Sequence, residues 1–200
     1  MMPRFRVPLT KEDVFTLLVS AVQGEVGSRY RTFIPNENLT EQLQKMSAWL
    51  TNKDSKFGML LCGGCENGKT TIVKAFQQVI NALEIPSPTT NKSYAIRIMD
   101  AKTITHIYRT DYKQWLELAR MEMLAIDDLG IEPREVMDFG NVGYPVIDLL
   151  TKRYEDQLFT IITSNLTPPE ISAQYGERIA DRLREMMERI TFTNSSYRLL

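Results

Sequence analysis

The chain has 200 residues, a formal net charge of −1, 43% hydrophobic residues and 24% charged residues. That size admits one α/β domain with at most a small appendage, and the near-neutral balance excludes a wholly basic nucleic-acid-binding surface while leaving room for a local basic patch. No apolar run reaches the roughly 18–20 residues needed to cross a bilayer, and the N-terminus lacks the apolar stretch of a signal peptide, so a cytoplasmic protein with no membrane partner is expected.

Residues 1–8 read as an irregular tail. Thr10 suits a helix N-cap with Asp13 at N3, and Val14, Phe15, Leu17, Leu18 and Val22 follow on that helix, which residues 24–28 end. Residues 39–50 form a second helical stretch, with Leu43, Met46 and Leu50 spaced to pack on the main domain. Residues 57–62 (FGMLLC) are a short continuous apolar run ending in glycines, as a buried parallel strand should be. Residues 69–83 read as a helix stopped by Pro86 and Pro88. Residues 93–99 alternate like a strand, and 102–120 are helical with a break near Thr110-Asp111. Residues 121–126 read as a second apolar run, broken by Glu122 and ending in Asp127-Asp128. Residues 130–144 are loop-rich and 146–156 helical. Residues 159–163 are another buried strand, ending in Ser164-Asn165. Helices over 168–175 and 179–187 and a short strand over 190–192 complete the chain. The alternation predicts an α/β fold, a doubly wound, mostly parallel five-stranded sheet with helices on both faces. Residues 1–38 would be a short helical extension and 39–200 the main domain.

Chemistry concentrates in Gly63-Gly64-Cys65-Glu66-Asn67-Gly68-Lys69-Thr70, which meets the Walker A pattern G-x-x-x-x-G-K-[ST]. An apolar strand precedes it and a helix follows, as phosphate binding at a helix N-terminus requires. The stretch through Thr71 is expected to hold a nucleoside triphosphate, ATP above all. Lys69 would reach the β- and γ-phosphates and the Thr70 hydroxyl would bind Mg²⁺. A Walker B element should accompany it, and Met123-Leu124-Ala125-Ile126-Asp127-Asp128 fits: Asp127 would hold Mg²⁺, largely through water, and Asp128 would orient or deprotonate the attacking water. Cys62 and Cys65 form a C-x-x-C, but a structural zinc needs about four ligands, the chain adds only His106, and the pair lies inside the phosphate loop; it is read as coincidence.

These residues together resemble AAA+ ATPases of the DnaC/IstB group, which includes helicase loaders and transposition helpers. The resemblance rests on the two Walker elements, Leu129-Gly130 after the second, the strand 160–165 (TIITSN), the segment 176–183 (GERIADRL) and the terminal Ser196-Tyr197-Arg198, and it spans about residues 39–198. It implies that Asn165 is sensor 1, contacting the γ-phosphate or the attacking water. It also implies that Arg178, or failing it Arg182, reaches the nucleotide of a neighbouring subunit. Read without it, Asn165 is a turn residue before Pro168, and the two arginines lie on a solvated helix face.

Glu66 stands where such loops usually have glycine, which sets a negative charge near the phosphates. Asp128 stands where most AAA+ proteins have Glu, and its shorter reach implies slow hydrolysis. The chain ends just after the last strand, so no C-terminal helical lid is expected.

The resemblance further implies ATP-driven self-assembly, single-stranded DNA, and a replicative helicase or a transposase as partner. Arg97, Lys102, Tyr108, Arg109, Tyr112, Lys113 and Trp115 gather cations and aromatic faces suited to single strands, although the rings could equally pack on the sheet. The loop 130–144 is a second candidate surface. The short N-terminal segment weakens the helicase-loader reading. A transposition helper on duplex DNA and a nucleotide-binding adaptor with little turnover are the alternatives. A nucleotide kinase is disfavoured, because Asp127, Asp128 and Asn165 suit attack by water.

Overall fold

The computed structural model describes residues 4–64, 67–138 and 140–193. Helix α1 (Lys11–Gly27) starts where Thr10 Oγ1 accepts the Asp13 N–H at 3.1 Å, and it buries Val14, Leu18 and Val22, spaced by four on one face. Helix α2 (Glu37–Thr51) is capped by Asn36, whose Oδ1 accepts the Leu39 N–H at 2.8 Å. It buries Leu39, Leu43, Met46, Trp49 and Leu50. The tail before α1 is tied down rather than loose. Val7 donates its N–H to Leu50 O at 3.0 Å, and Arg6 donates to Asn52 O and Ser55 O, both at 2.6 Å, with its guanidinium over the Trp49 ring.

The remaining elements alternate. They run β1 (Gly58–Gly63), α3 (Lys69–Ala82), β2 (Arg97–Asp100), α4 (Ala101–Thr110), α5 (Tyr112–Arg120), β3 (Met123–Leu129), β4 (Val136–Asp138), β5 (Asn141–Gly143), α6 (Pro145–Glu155), β6 (Phe159–Ser164), α7 (Pro168–Tyr175), α8 (Glu177–Met186) and β7 (Met187–Phe192). Five strands form one parallel sheet in the order β2-β3-β6-β1-β7. Each central strand sends alternate side chains to opposite faces, and both faces are covered, hence the continuous apolar runs. Met59, Leu61, Met123, Ala125, Phe159 and Ile161 pack with α1, α2 and α3. Leu60, Cys62, Leu124, Ile126 and Ile162 pack with α4 through α8.

Several expectations need correction, the last strand among them, which runs Met187–Phe192 rather than 190–192 and takes Met187 from the helix expected over 179–187. The strand expected over 93–99 runs Arg97–Asp100 instead; Ser93 pairs with Pro86 in an isolated bridge, because Pro86 and Pro88 bring the chain back on itself first. The loop-rich segment 130–144 contains the antiparallel hairpin β4–β5, whose Gly143 lies against the Tyr108 ring.

On the α4–α8 face, Arg153 is fully buried. Its guanidinium donates to Met121 O at 2.8 Å, Phe159 O at 2.6 Å and Thr160 Oγ1 at 2.8 Å, with longer contacts to Leu118 O and Ala119 O. It fastens the end of α5 to the starts of β3 and β6. No helix among the described residues is long and apolar enough to cross a membrane.

Candidate nucleotide-binding site

The sheet topology brings the ends of β1, β3 and β6 side by side, where ligands of doubly wound sheets bind. β1 ends at Gly63, whose φ of +142° and nearness to β7 exclude other residues: a Cβ there would stand 2.2 Å from Phe192 O. The loop then turns into α3, which begins at Lys69 behind Gly68, with no side chain capping its first turn. Backbone N–H groups at such a turn suit an anion. Lys69 is buried, and its ammonium donates to Gly63 O at 2.9 Å, Gly64 O at 2.6 Å and Asn67 Oδ1 at 2.9 Å. Asn67 in turn donates to Phe192 O at 3.2 Å. Cys65 and Glu66 lie outside the described residues, so the expectations attached to them do too; Cys62 is a buried free thiol.

Opposite Lys69 stand the acids of β3. Thr70 Oγ1 donates to Asp127 Oδ1 at 3.1 Å, joining the start of α3 to the end of β3. A hydroxyl beside a carboxylate is a hard oxygen pair suited to Mg²⁺. The ammonium and the uncapped helix end suit the phosphates, so the residues present fit a magnesium-bound triphosphate. Asp128, inside β3, takes φ +55°, and the register of β3 against β6 shifts between Ile126 and Leu129. Burial raises the Asp128 carboxyl above the ordinary range and the charge of Asp127 raises it further, with Lys69 opposing. Asn165, just past β6, lines the same cavity as Asp128.

That cavity measures about 690 Å³ and holds Lys69, Thr70, Thr71, Asp128 and Asn165 on one side. Its other wall went unseen in the sequence. It comprises Val22 and Val26 of α1, the connector 29–34 including Phe33 and Ile34, and Leu39 of α2. That wall mixes the apolar Val22, Val26, Phe33, Ile34 and Leu39 with Arg29, Tyr30, Arg31 and Thr32, so apolar surface and a few polar groups share one nucleotide-sized pocket. The connector matches no motif; its one signal is the apolar pair Phe33-Ile34 just before the Asn36 cap.

The other predicted residues separate. Arg182 lies over the Tyr154 ring and pairs with Glu155 at 3.4 Å. Arg178 is exposed at the start of α8, with no ion pair among the described residues. Trp115 is buried; Tyr112 stacks on it with 5.4 Å between ring centroids and Tyr108 meets it edge-on at 5.1 Å. Tyr112 remains half exposed, and Arg97, Lys102, Arg109 and Lys113 are exposed. The sheet thus takes Trp115 and leaves Tyr112 and the cations at the surface.

No protein-family model and no curated protein matches the chain. Solved structures do. The DnaC helicase loader superposes with a TM-score of 0.60 at 20% identity, over 80% of this chain and 93% of that one. DnaI gives 0.54 at 17% identity, over 98% and 94%. The replication initiator DnaA bound to AMPPCP and single-stranded DNA gives 0.54 at 14% identity, over 82% of this chain and 49% of that one. These likenesses show that the chain shares the fold of these helicase-loader and initiator structures, a five-stranded parallel sheet with helices on both faces.

Proposed function

We propose that this protein is an ATP-dependent switch of the helicase-loader type, which binds Mg-ATP, hydrolyses it slowly and assembles with further copies of itself on single-stranded DNA. The observation that carries the reading is the convergence of Lys69, Thr70, Asp128 and Asn165 on one cavity, with Asp127 hydrogen-bonded to the Thr70 hydroxyl. Lys69 and the start of α3 would hold the β- and γ-phosphates, exchanging loop carbonyls for phosphate oxygens. Thr70 and Asp127 would hold Mg²⁺, which when bound offsets the phosphate charge. Asp128 would orient a water and take its proton as the water oxygen bonds to the γ-phosphorus and the bond to the ADP oxygen breaks. Its raised pKa favours accepting that proton. Asn165 would steady the γ-phosphate.

Arg178 is the better candidate to complete a neighbour's site, because Arg182 is already engaged by Glu155 and Tyr154. The exposed face of Tyr112 beside Arg109 and Lys113 supports single-stranded DNA, by base stacking plus phosphate neutralisation. The likeness to helicase loaders supports a replicative helicase as the protein partner.

Lys69→Ala should abolish ATP binding in calorimetry; retained binding would sink the reading. Arg178→Ala should leave binding by the monomer intact and remove turnover and ATP-driven assembly. An unchanged turnover rate would rule out a finger at this position. With ATP, at fixed salt, single-stranded oligonucleotides should outcompete duplex. Preference for duplex would favour a transposition helper, and ATP binding with no turnover an adaptor.

A further inference from the structure

The two acids of β3 are held by a residue on another strand. β3 and β6 are paired at Ile126↔Ile162 and again at Leu129↔Ser164. Two residues, Asp127 and Asp128, therefore stand opposite one, Thr163, which is the arrangement of a β-bulge. A bulge takes its extra residue off the ladder, and its backbone groups then need another partner. The Thr163 hydroxyl provides it: Oγ1 accepts the Asp128 N–H at 2.8 Å and donates its own hydrogen to Asp127 Oδ1 at 2.6 Å. One hydroxyl thus fixes the bulge that turns Asp128 into the left-handed region and the carboxylate oxygen that also receives the Thr70 hydroxyl. Thr163 is fully buried, and its position leaves it out of the cavity lining.

We propose that Thr163 is a positioning residue for hydrolysis, aiming Asp127 at the metal and Asp128 at the attacking water through its single hydroxyl. This rests on the reading of the site as a magnesium-nucleotide centre. A merely structural threonine would need only its shape, which valine reproduces. A positioning threonine needs its oxygen, which serine retains.

The test compares the full chain with Thr163→Val and Thr163→Ser by three measurements: ATP affinity in EDTA, the tightening of that affinity on adding Mg²⁺, and turnover. Thr163→Val should keep the EDTA affinity within about twofold while losing about 10- to 100-fold in magnesium-dependent tightening and in turnover, the usual scale for a partner that orients a metal-binding carboxylate. Thr163→Ser should restore both. Amide exchange without nucleotide gives an independent readout, since the Asp128 N–H should exchange faster in Thr163→Val alone.

If valine keeps the tightening and the turnover, or serine fails as valine does, the positioning role is overturned. Should Thr163→Val not fold, Thr163→Ala removes the hydroxyl together with the γ-methyl, adds no bulk and carries the same expectations. A wild-type chain with neither magnesium-dependent tightening nor turnover would instead sink the proposed function itself, and that result is read before any variant is compared.

Discussion

Lys69 and Arg153 are both buried cations, and what satisfies each one decides what it does. Lys69 is held by two carbonyls and one amide oxygen at the mouth of a cavity, partners that phosphate oxygens can replace. Arg153 is held by carbonyls of Leu118, Ala119, Met121 and Phe159 and by the Thr160 hydroxyl, and it is not among the residues lining that cavity. Burial holds its guanidinium down at about 9, with Asp156 opposing, so it remains a cation at neutral pH. Arg153→Met keeps the unbranched apolar stem, removes the guanidinium and orphans the carbonyls. Buried unpaired groups cost about 1–3 kcal/mol each, so urea denaturation should show a loss of about 3 kcal/mol. Nucleotide affinity measured well below the unfolding midpoint should not change, because no atom of Arg153 reaches the site.

Among the elements, the exit from β3 connects most of the site. Gly130 has φ +111°, and a Cβ there would stand 2.6 Å from Leu166 Cδ1. Its N–H donates to Glu132 Oε2 at 2.9 Å, and the other oxygen of that buried carboxylate accepts from Tyr175 Oη at 2.5 Å. Burial and the Glu132 carboxylate both push the Tyr175 hydroxyl well above its ordinary range. One turn therefore joins the acids of β3, the segment carrying Asn165 and the end of α7. Gly130→Ala should strain that turn, at a cost of order 1–3 kcal/mol, and press on Leu166; turnover should fall further than ATP affinity. Tyr175→Phe should lower stability by about 1–3 kcal/mol in thermal unfolding, since it leaves Glu132 Oε1 unpaired. An unchanged midpoint would mean that water replaces the phenol.

Little of this turn could be read from the sequence. The central strands were legible because burial on both faces leaves mostly apolar runs, and the Walker A pattern because its chemistry needs a fixed spacing. The hairpin β4–β5 was not, since three-residue strands carry no periodicity. Nor was the bulge at Asp127-Asp128, because two residues facing one is a property of pairing with β6, a strand more than thirty positions away.

At the scale of the molecule, the sheet separates two cores, and the cavity beside Lys69 and Asp128 meets the one that α1, α2 and α3 share. The first helix is built into that core through Val14, Leu18 and Val22, so the connector after it is fixed at both ends, by α1 and by the Asn36 cap of α2. A ligand lying between the connector and Lys69 would touch both, and its binding energy would then hold the connector closed. Anything that binds only the closed form stabilises it by mass action, up to about 2.7 kcal/mol at a hundredfold excess over Kd. Amide exchange across residues 26–34 should therefore slow on adding Mg-ATP, by as much as that hundredfold where opening of the connector releases the nucleotide. Residues 112–120 of α5, which line no part of the cavity, should keep their rates in the absence of DNA. Slowing confined to residues 67–72 would mean that the phosphates bind while the base lies elsewhere, and that Val22, Val26, Phe33 and Ile34 serve only to pack α1 and the connector.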